Sequence, residues 1–290
     1  MKWMMSPGDL DDAVASMLEA RSTLRALKRL PPSGAPLSLD DAYVIQEAFV
    51  RGCKLRVVGY KIGCASKESQ TLVGASGPFA ARIFSQTRFD SPAEIRTRDF
   101  FTLGVEAEFG FTMRAPLPPR RTLYERAEVA RAVASVAPVI ELCDTRLANW
   151  KDARIEEIIA DNGFHGGLVV GQAIEQWQSR DLARHEAVVS IGGEVCAQGT
   201  AAGSLGHPLD GMVWIANELS RRGYGLDTGD IVATGTFTGL HFVDEPAPVV
   251  ADFGSMGRVR AIGDAIERKF SFYSAGKKRS SHSRIGPGDI

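Results

Sequence analysis

The chain is short of several things, and each shortage narrows what it can do. Its 290 residues include four cysteines, Cys53, Cys64, Cys143 and Cys196, and no two of them form a CxxC pair. A chain of this length can bury a core without covalent staples, so the expectation is a reducing, cytoplasmic setting with small buried thiols. Charge of one sign is also lacking: 34 basic and 35 acidic side chains leave a formal net charge of -1. Without a basic field, nucleic acid is not expected as a partner. No apolar run approaches the roughly 18 residues of a membrane span, so no membrane partner is expected either. Met1-Lys2-Trp3-Met4-Met5-Ser6-Pro7 carries no apolar stretch before Asp9, Asp11 and Asp12, which gives the expectation of no secretory signal. Nucleotide and hydrolase signatures are missing as well. There is no GxGxxG after a strand, no GxxxxGK[ST], no HExxH and no GxSxG.

What remains has ordinary globular proportions, 44% apolar and 24% charged, with length for about one or two domains. Leu10, Ala13, Met17 and Ala20 recur at helical spacing and predict a helix over 8–27, broken by Pro31-Pro32-Ser33-Gly34. Ser38 and Asp41 read as a capping box opening a second helix. Strands are expected over 57–62, 103–113, 138–143, 166–171 and near 230–234, 248–252 and 257–262. A hairpin is expected over 187–199 around Gly192-Gly193, with helices over 122–136 and 209–222. Cys64 to Ala80, rich in Gly, Ser and Pro, reads as a loop. Strands and helices do not alternate steadily, which argues against a TIM barrel or a doubly wound sheet. Residues 1–80 read as a mainly helical N-terminal subdomain, 81–270 as a β-rich catalytic domain and 271–290 as a disordered tail.

The most informative stretch is Gly104-Val105-Glu106-Ala107-Glu108-Phe109-Gly110-Phe111. In a strand, alternate side chains share a face, so Glu106 and Glu108 point one way and Val105, Ala107, Phe109 and Phe111 the other. Two like charges on one face repel unless solvent or a cation separates them. A half-exposed edge strand with two solvated acids gives the same pattern. A second strand, Pro138-Val139-Ile140-Glu141-Leu142-Cys143, sets one acid among apolar neighbours, which is costly unless the acid is paired or ligates metal. Three carboxylates from two strands make a hard oxygen site suited to Mg²⁺ or Mn²⁺. Lys61 interrupts the apolar run Val57-Val58-Gly59-Tyr60-Lys61-Ile62-Gly63. It either snorkels to solvent or faces a polar site, where desolvation would lower its pKa for acid-base work.

Together these stretches resemble the fumarylacetoacetate hydrolase superfamily, and within it the branch of 2-keto-4-pentenoate hydratases and 4-oxalocrotonate decarboxylases. The resemblance runs over roughly 10–265. Its anchors are Gly59–Gly63, Val105–Glu108, Glu141–Arg146, Ala160–Asn162, Gly229–Thr236 and Ala251–Gly254. It implies an α+β fold, a mixed β-roll or barrel of the fumarylacetoacetate hydrolase C-terminal type with flanking helices. It implies Mg²⁺ or Mn²⁺ on the positions matching Glu106, Glu108 and Glu141, with Lys61 as the acid-base lysine. The substrate is then a small 2-oxo acid. The expected activity is a lyase hydrating a 2-hydroxy-2,4-dienoate; a 4-oxalocrotonate-type decarboxylase and an acylpyruvate C–C hydrolase are the alternatives. By the same resemblance Thr234 and Gly235 lie against the substrate carboxylate, a hydroxyl and a free backbone N–H being suitable donors. Asp144, Arg146 and Lys151 form a supporting ion network or ordinary surface pairs, with Lys151 also expected to reach substrate. Asp161 and Asn162 orient the site or cap a turn. The family implies a homo-oligomer.

The pattern departs from the hydratases in two places. Gly163-Phe164-His165 stands where small residues are usual, reshaping that wall and making His165 a candidate acid-base or substrate-binding group, or simply a donor to a backbone carbonyl. Phe79 follows Pro78 where hydratases often carry an aspartate.

Overall fold

The computed structural model describes residues 6–30 and 38–263. The tail expected over 271–290 and the break expected at 31–34 lie outside those residues. Helix α1 (Pro7–Thr23) starts at Ser6, whose Oγ accepts the Asp9 N–H at 3.2 Å. It stops short of residue 27 because Leu24 turns left-handed at φ 50° and closes the last turn. Helix α2 (Leu39–Cys53) has the expected capping box: Ser38 Oγ accepts the Asp41 N–H, and Asp41 accepts the Ser38 N–H. Ile45, Phe49 and Val50 of α2 pack on Ala13 and Met17 of α1, with Phe84 and Leu147 beneath. Ser38→Ala removes one cap of this pair. It is expected to cost about 1 kcal/mol and to lower the melting midpoint by roughly 2–4 °C in a thermal scan; an unchanged midpoint would show the cap to be dispensable.

Strand β1 (Val57–Gly63) follows, then helix α3 (Lys67–Val73). The stretch read as loop therefore contains a helix, opened by a second capping box between Ser66 and Ser69 and closed by left-handed Gly74. Strands β2 (Phe79–Phe84), β3 (Arg88–Asp90) and β4 (Ala93–Ile95) lead to β5 (Gly104–Met113). The helix expected over 122–136 is shorter: α4 spans Arg126–Ala132, and β6 takes over at Val133 and runs to Cys143. Val133, Val136, Val139 and Ile140 are β-branched and fit a pleated surface better than a helix. Then come α5 (Ile155–Ala160), β7 (His165–Val170), β8 (Glu186–Ile191) and β9 (Glu194–Thr200). The β8–β9 hairpin turns through Gly192 and Gly193, both at positive φ, as a two-residue turn requires. Helix α6 (Pro208–Arg221) precedes β10 (Ile231–Ala233), β11 (His241–Phe242), β12 (Val249–Asp252) and β13 (Arg258–Gly263).

The strands form two sheets. The larger is mixed and ordered β2-β1-β10-β5-β6-β7-β3, with β11 added against β5. The smaller is β4-β13-β12-β8-β9. Val105, Ala107, Phe109 and Phe111 face the smaller sheet, where Phe109 meets Phe253 at 5.6 Å between ring centroids. On the opposite face, Ile83 of β2 shares a cluster with Leu168 and Val170 of β7, strands set far apart in the sheet order. The large sheet therefore curls on itself, giving the α+β roll with flanking helices. Strand β1, although it precedes residue 80, sits inside this sheet between β2 and β10. A Cβ on Gly59 would lie 1.9 Å from the Ile231 carbonyl oxygen, so only glycine lets β1 approach β10 there and carry Lys61 inward.

Candidate active site

Strand register assembles the site. Glu106 pairs with Glu141 across β5 and β6, and Glu108 follows two residues along on the same face. Lys61 pairs with Ala233 of β10, and Ala233 with Gly110 of β5. Lys61, Glu106, Glu108 and Glu141 thus share the inner face of the curl. Lys61 does not snorkel: it is 3% exposed, and its Nζ lies 3.1 Å from Glu141 Oε1. His165 joins them through an irregularity. Leu142 pairs with Gly167 but Cys143 pairs with His165, so Gly166 is an extra residue in β7. That bulge turns His165 onto the carboxylate face, Nδ1 4.0 Å from Glu141 Oε1, instead of the opposite one. Its Nε2 is 2.9 Å from Thr87 Oγ1, so its partner is a hydroxyl and not the backbone carbonyl considered from sequence.

Burial and crowding set the charges. Burial raises the Glu106 carboxyl to about 7, helped by the charge of Glu141. Burial likewise lifts Glu108 well above the usual range, with Glu141 and Glu106 adding repulsion. Glu141 is also raised by burial, although Lys61 opposes the rise. For Lys61 the expected direction is reversed. Burial alone pulls it down, but the adjacent Glu141, with Cys143, Glu106 and Glu108 behind it, outweighs that and holds the ammonium above the ordinary lysine value. His165 moves far down through burial and through the nearby Lys61, Arg21 and Arg146, and stays neutral.

The donor set fits a hard divalent cation. Glu108 Oε2 accepts the Gly235 N–H at 2.8 Å and Glu141 Oε1 meets the Lys61 ammonium at 3.1 Å, but Glu108 Oε1 and Glu141 Oε2 are buried without a hydrogen-bond donor. Buried carboxylate oxygens left in this state are costly unless a cation completes them. Ligand atoms of Glu106, Glu141 and Cys143 all lie within 4.8 Å of one another. Cys143, whose Sγ donates to Glu106 Oε2 at 3.5 Å, was not foreseen as part of the site. Its place two residues beyond Glu141 on the same strand face was the available signal.

A cavity of about 600 Å³ opens above this floor and reaches Lys61, Glu106 and Cys143. Thr234 and Gly235 lie beside it in other roles than those expected. The Thr234 hydroxyl donates to the Phe109 carbonyl at 3.1 Å, and the Gly235 N–H is taken by Glu108. Gly235 itself sits at φ 96°, where a Cβ would fall 2.3 Å from that of Ala65. The next residues, Thr236 and Thr238, are the ones that line the cavity. Thr238 Oγ1 accepts the Ala107 N–H at 3.2 Å and ties this loop to β5. Lys151 is not brought in: it is exposed, its Nζ 5.7 Å from the Trp150 ring, while Trp150 lines the cavity. Arg146 and Asp161 form a buried ion pair below the site, and Asp144 accepts the Phe101 and Thr102 N–H groups at 3.0 Å. Asn162 brackets the Arg82 backbone, accepting its N–H at 2.8 Å and donating to its carbonyl at 2.9 Å.

Residues 66–270 match the family model of the fumarylacetoacetate hydrolase C-terminal domain. The chain belongs to that family. It is 30% identical over 234 residues to a 2-keto-4-pentenoate hydratase of Paraburkholderia xenovorans (strain LB400), covering 80% of this chain and 86% of that one. It is 29% identical over 250 residues to a 2-oxo-hept-4-ene-1,7-dioate hydratase of Escherichia coli, covering 82% and 91%. Among solved structures, the 4-oxalocrotonate decarboxylase of Pseudomonas putida G7, complexed with magnesium and adipate, superposes with a TM-score of 0.83 at 22% identity. That match covers 91% of this chain and all of the other. The matched region holds Glu106, Glu108, Glu141 and most of the cavity lining, while Lys61 lies five residues before it.

Proposed function

We propose that the protein is a divalent-metal-dependent lyase that adds water to a 2-hydroxy-2,4-dienoate of the 2-keto-4-pentenoate type. The observation that carries this is the buried set Glu106, Glu108, Glu141 and Lys61 at the floor of one cavity, in a chain whose curated relatives include hydratases. The carboxylates would hold Mg²⁺ or Mn²⁺; magnesium and manganese are named in complexes of two structural relatives. When bound, such an ion supplies Lewis acidity that stabilises negative charge on the 2-oxo oxygen. Glu141 positions Lys61: the ammonium donates a proton to carbon as the dienol ketonises, and the amine left behind takes up the proton released from the 2-hydroxyl, which restores the ammonium before water adds. Asn162 and the Arg146–Asp161 pair keep the floor rigid from below. The same family membership supports a homo-oligomer, and the four free thiols suit a reducing, cytoplasmic setting.

The test is incubation of the protein and Mg²⁺ or Mn²⁺ with 2-hydroxypenta-2,4-dienoate, with the product identified by mass. Gain of one water is the expected result. Inertness toward the dienoate with loss of CO₂ from the matching diacid would replace hydration by decarboxylation, and cleavage of an acylpyruvate alone would replace it by C–C hydrolysis.

A further inference from the structure

Above its charged floor the cavity is lined by hydroxyls, from Ser66, Thr200, Thr236 and Thr238, and by apolar side chains that include Phe237 and Leu240. Five of the apolar residues, Val73, Phe79, Ile158, Phe164 and Trp150, make up one wall. Phe79 and Ile158 form a buried cluster against which Val73 and Phe164 pack, so this wall is continuous. Trp150 stands edge-on to Phe164 at 5.6 Å and tilts over Phe242 at 5.8 Å.

The wall is built deliberately into the backbone. Asn162, Gly163 and Phe164 lie at φ 55°, 60° and 64°, three left-handed residues in succession. A bulky residue rarely adopts that conformation, and the two hydrogen bonds from Asn162 to the Arg82 backbone hold the run in place. The result is an aromatic ring delivered to the cavity by a strained turn.

Charge is distributed just as unevenly. Among the described lining residues the sole cation is Lys61, already set against Glu141 at the floor, and the acid at the mouth is Glu68. A carboxylate at the far end of a substrate would be desolvated against the aromatic wall with no counter-charge, and Glu68 would repel it. Lys151 offers no remedy, because it is exposed beside Trp150 and a carboxylate drawn to it would leave the cavity for water. An alkyl or aryl group at the same place would bury apolar surface and meet the ring edges favourably. The volume leaves space well beyond a five-carbon acid, in the range of sites that enclose larger ligands.

We infer that the substrate end remote from the 2-oxo acid group is a bulky uncharged substituent, alkyl or aryl, and not a second carboxylate. This rests on the reading of the floor as a 2-oxo acid site, and the test separates the two.

Binding to the full-length protein in Mg²⁺ would be followed by calorimetry for three probes: 2-oxohexanoate, 2-oxo-4-phenylbutanoate, and 2-oxoadipate, which adds a terminal carboxylate to a chain of similar reach. Both apolar probes are expected to bind at least about tenfold more tightly than 2-oxoadipate. Equal or tighter binding of 2-oxoadipate, or no binding of any probe, overturns the inference. Leu72→Arg, at an exposed position on the cavity rim, is expected to tighten 2-oxoadipate and close most of the gap; an unchanged ranking would show that charge does not set the preference and would overturn the inference too. The corresponding 2-hydroxy-2,4-dienoates are then assayed for hydration. Retained probe ranking without addition of water to any dienoate sinks the hydratase reading and leaves the substituent assignment standing. Water added fastest to the dienoate with a distal carboxylate does the reverse.

Discussion

Lys61→Met is expected to lower the turnover rate about 10³-fold while the metal-loaded protein stays folded. Methionine keeps the length and flexibility of the side chain and removes only the ammonium. The native charge is held firmly: Lys61 is buried, 3.1 Å from Glu141, and the surrounding carboxylates keep it protonated. Its removal leaves Glu106, Glu108 and Glu141 without their resident cation. Breaking a buried ion pair from one side typically costs about 3–5 kcal/mol, so the metal-free variant is expected to melt well below the wild type. A bound divalent ion replaces part of the missing positive charge, so the deficit is expected to shrink in Mg²⁺. Two measurements check this: single-turnover rates in Mg²⁺, and melting midpoints with Mg²⁺ and with chelator. A near-normal rate removes Lys61 from the mechanism. A midpoint deficit of equal size in both conditions would show that lysine and metal do not share the same carboxylates.

Much of this floor is legible in the sequence, and the reason is strand parity. Glu106 and Glu108 stand two apart in an otherwise apolar strand, so they had to share a face, and Glu141 alone among Val139, Ile140 and Leu142 demanded a partner. The protons were harder to read. Lys61 in an apolar strand suggested a lowered pKa because desolvation is visible in sequence, whereas the opposing Glu141 comes from another strand and is not. His165 reaches the carboxylates only because Gly166 is an extra residue in β7, and a bulge leaves no periodic trace. The Gly235 N–H was expected to be free for substrate, yet Glu108 claims it from 127 residues away. Local propensity misled in two places for related reasons. Residues 133–136 extend a helical pattern but pair as strand, because long-range pairing overrides periodicity. The Gly- and Ser-rich stretch after Cys64 hides a helix whose two serines cap it. The apolar cavity wall falls between these cases. Phe79 and Phe164 stood out as bulky departures from the family pattern, but only the left-handed turn at 162–164 brings Phe164 against Trp150.

Glu106→Gln is expected to separate metal binding from folding stability. Glu106 opposes Glu141 directly across the β5–β6 pair and keeps some exposure to the cavity, whereas Glu108 and Glu141 are fully enclosed. Opposed like charges destabilise a strand pair, and burial magnifies the repulsion. Neutralising Glu106 therefore relieves the metal-free protein, whose melting midpoint in chelator is expected to rise. The metal response moves in the other direction. An ion present at a hundred times its dissociation constant stabilises the native state by about 2.7 kcal/mol, or roughly 5–10 °C for a chain of this size. If loss of one carboxylate weakens binding about 10²-fold, the same ion concentration only matches the new constant, and the gain falls to about 0.4 kcal/mol, or roughly 1 °C. Differential scanning fluorimetry across a Mg²⁺ and Mn²⁺ series, with metal content measured after gel filtration, reads both effects. A variant that keeps the wild-type metal shift and metal content would remove Glu106 from the ligand set. A lower midpoint in chelator would mean that Glu106 is held by attraction, with the charge of Lys61 outweighing that of the two neighbouring carboxylates.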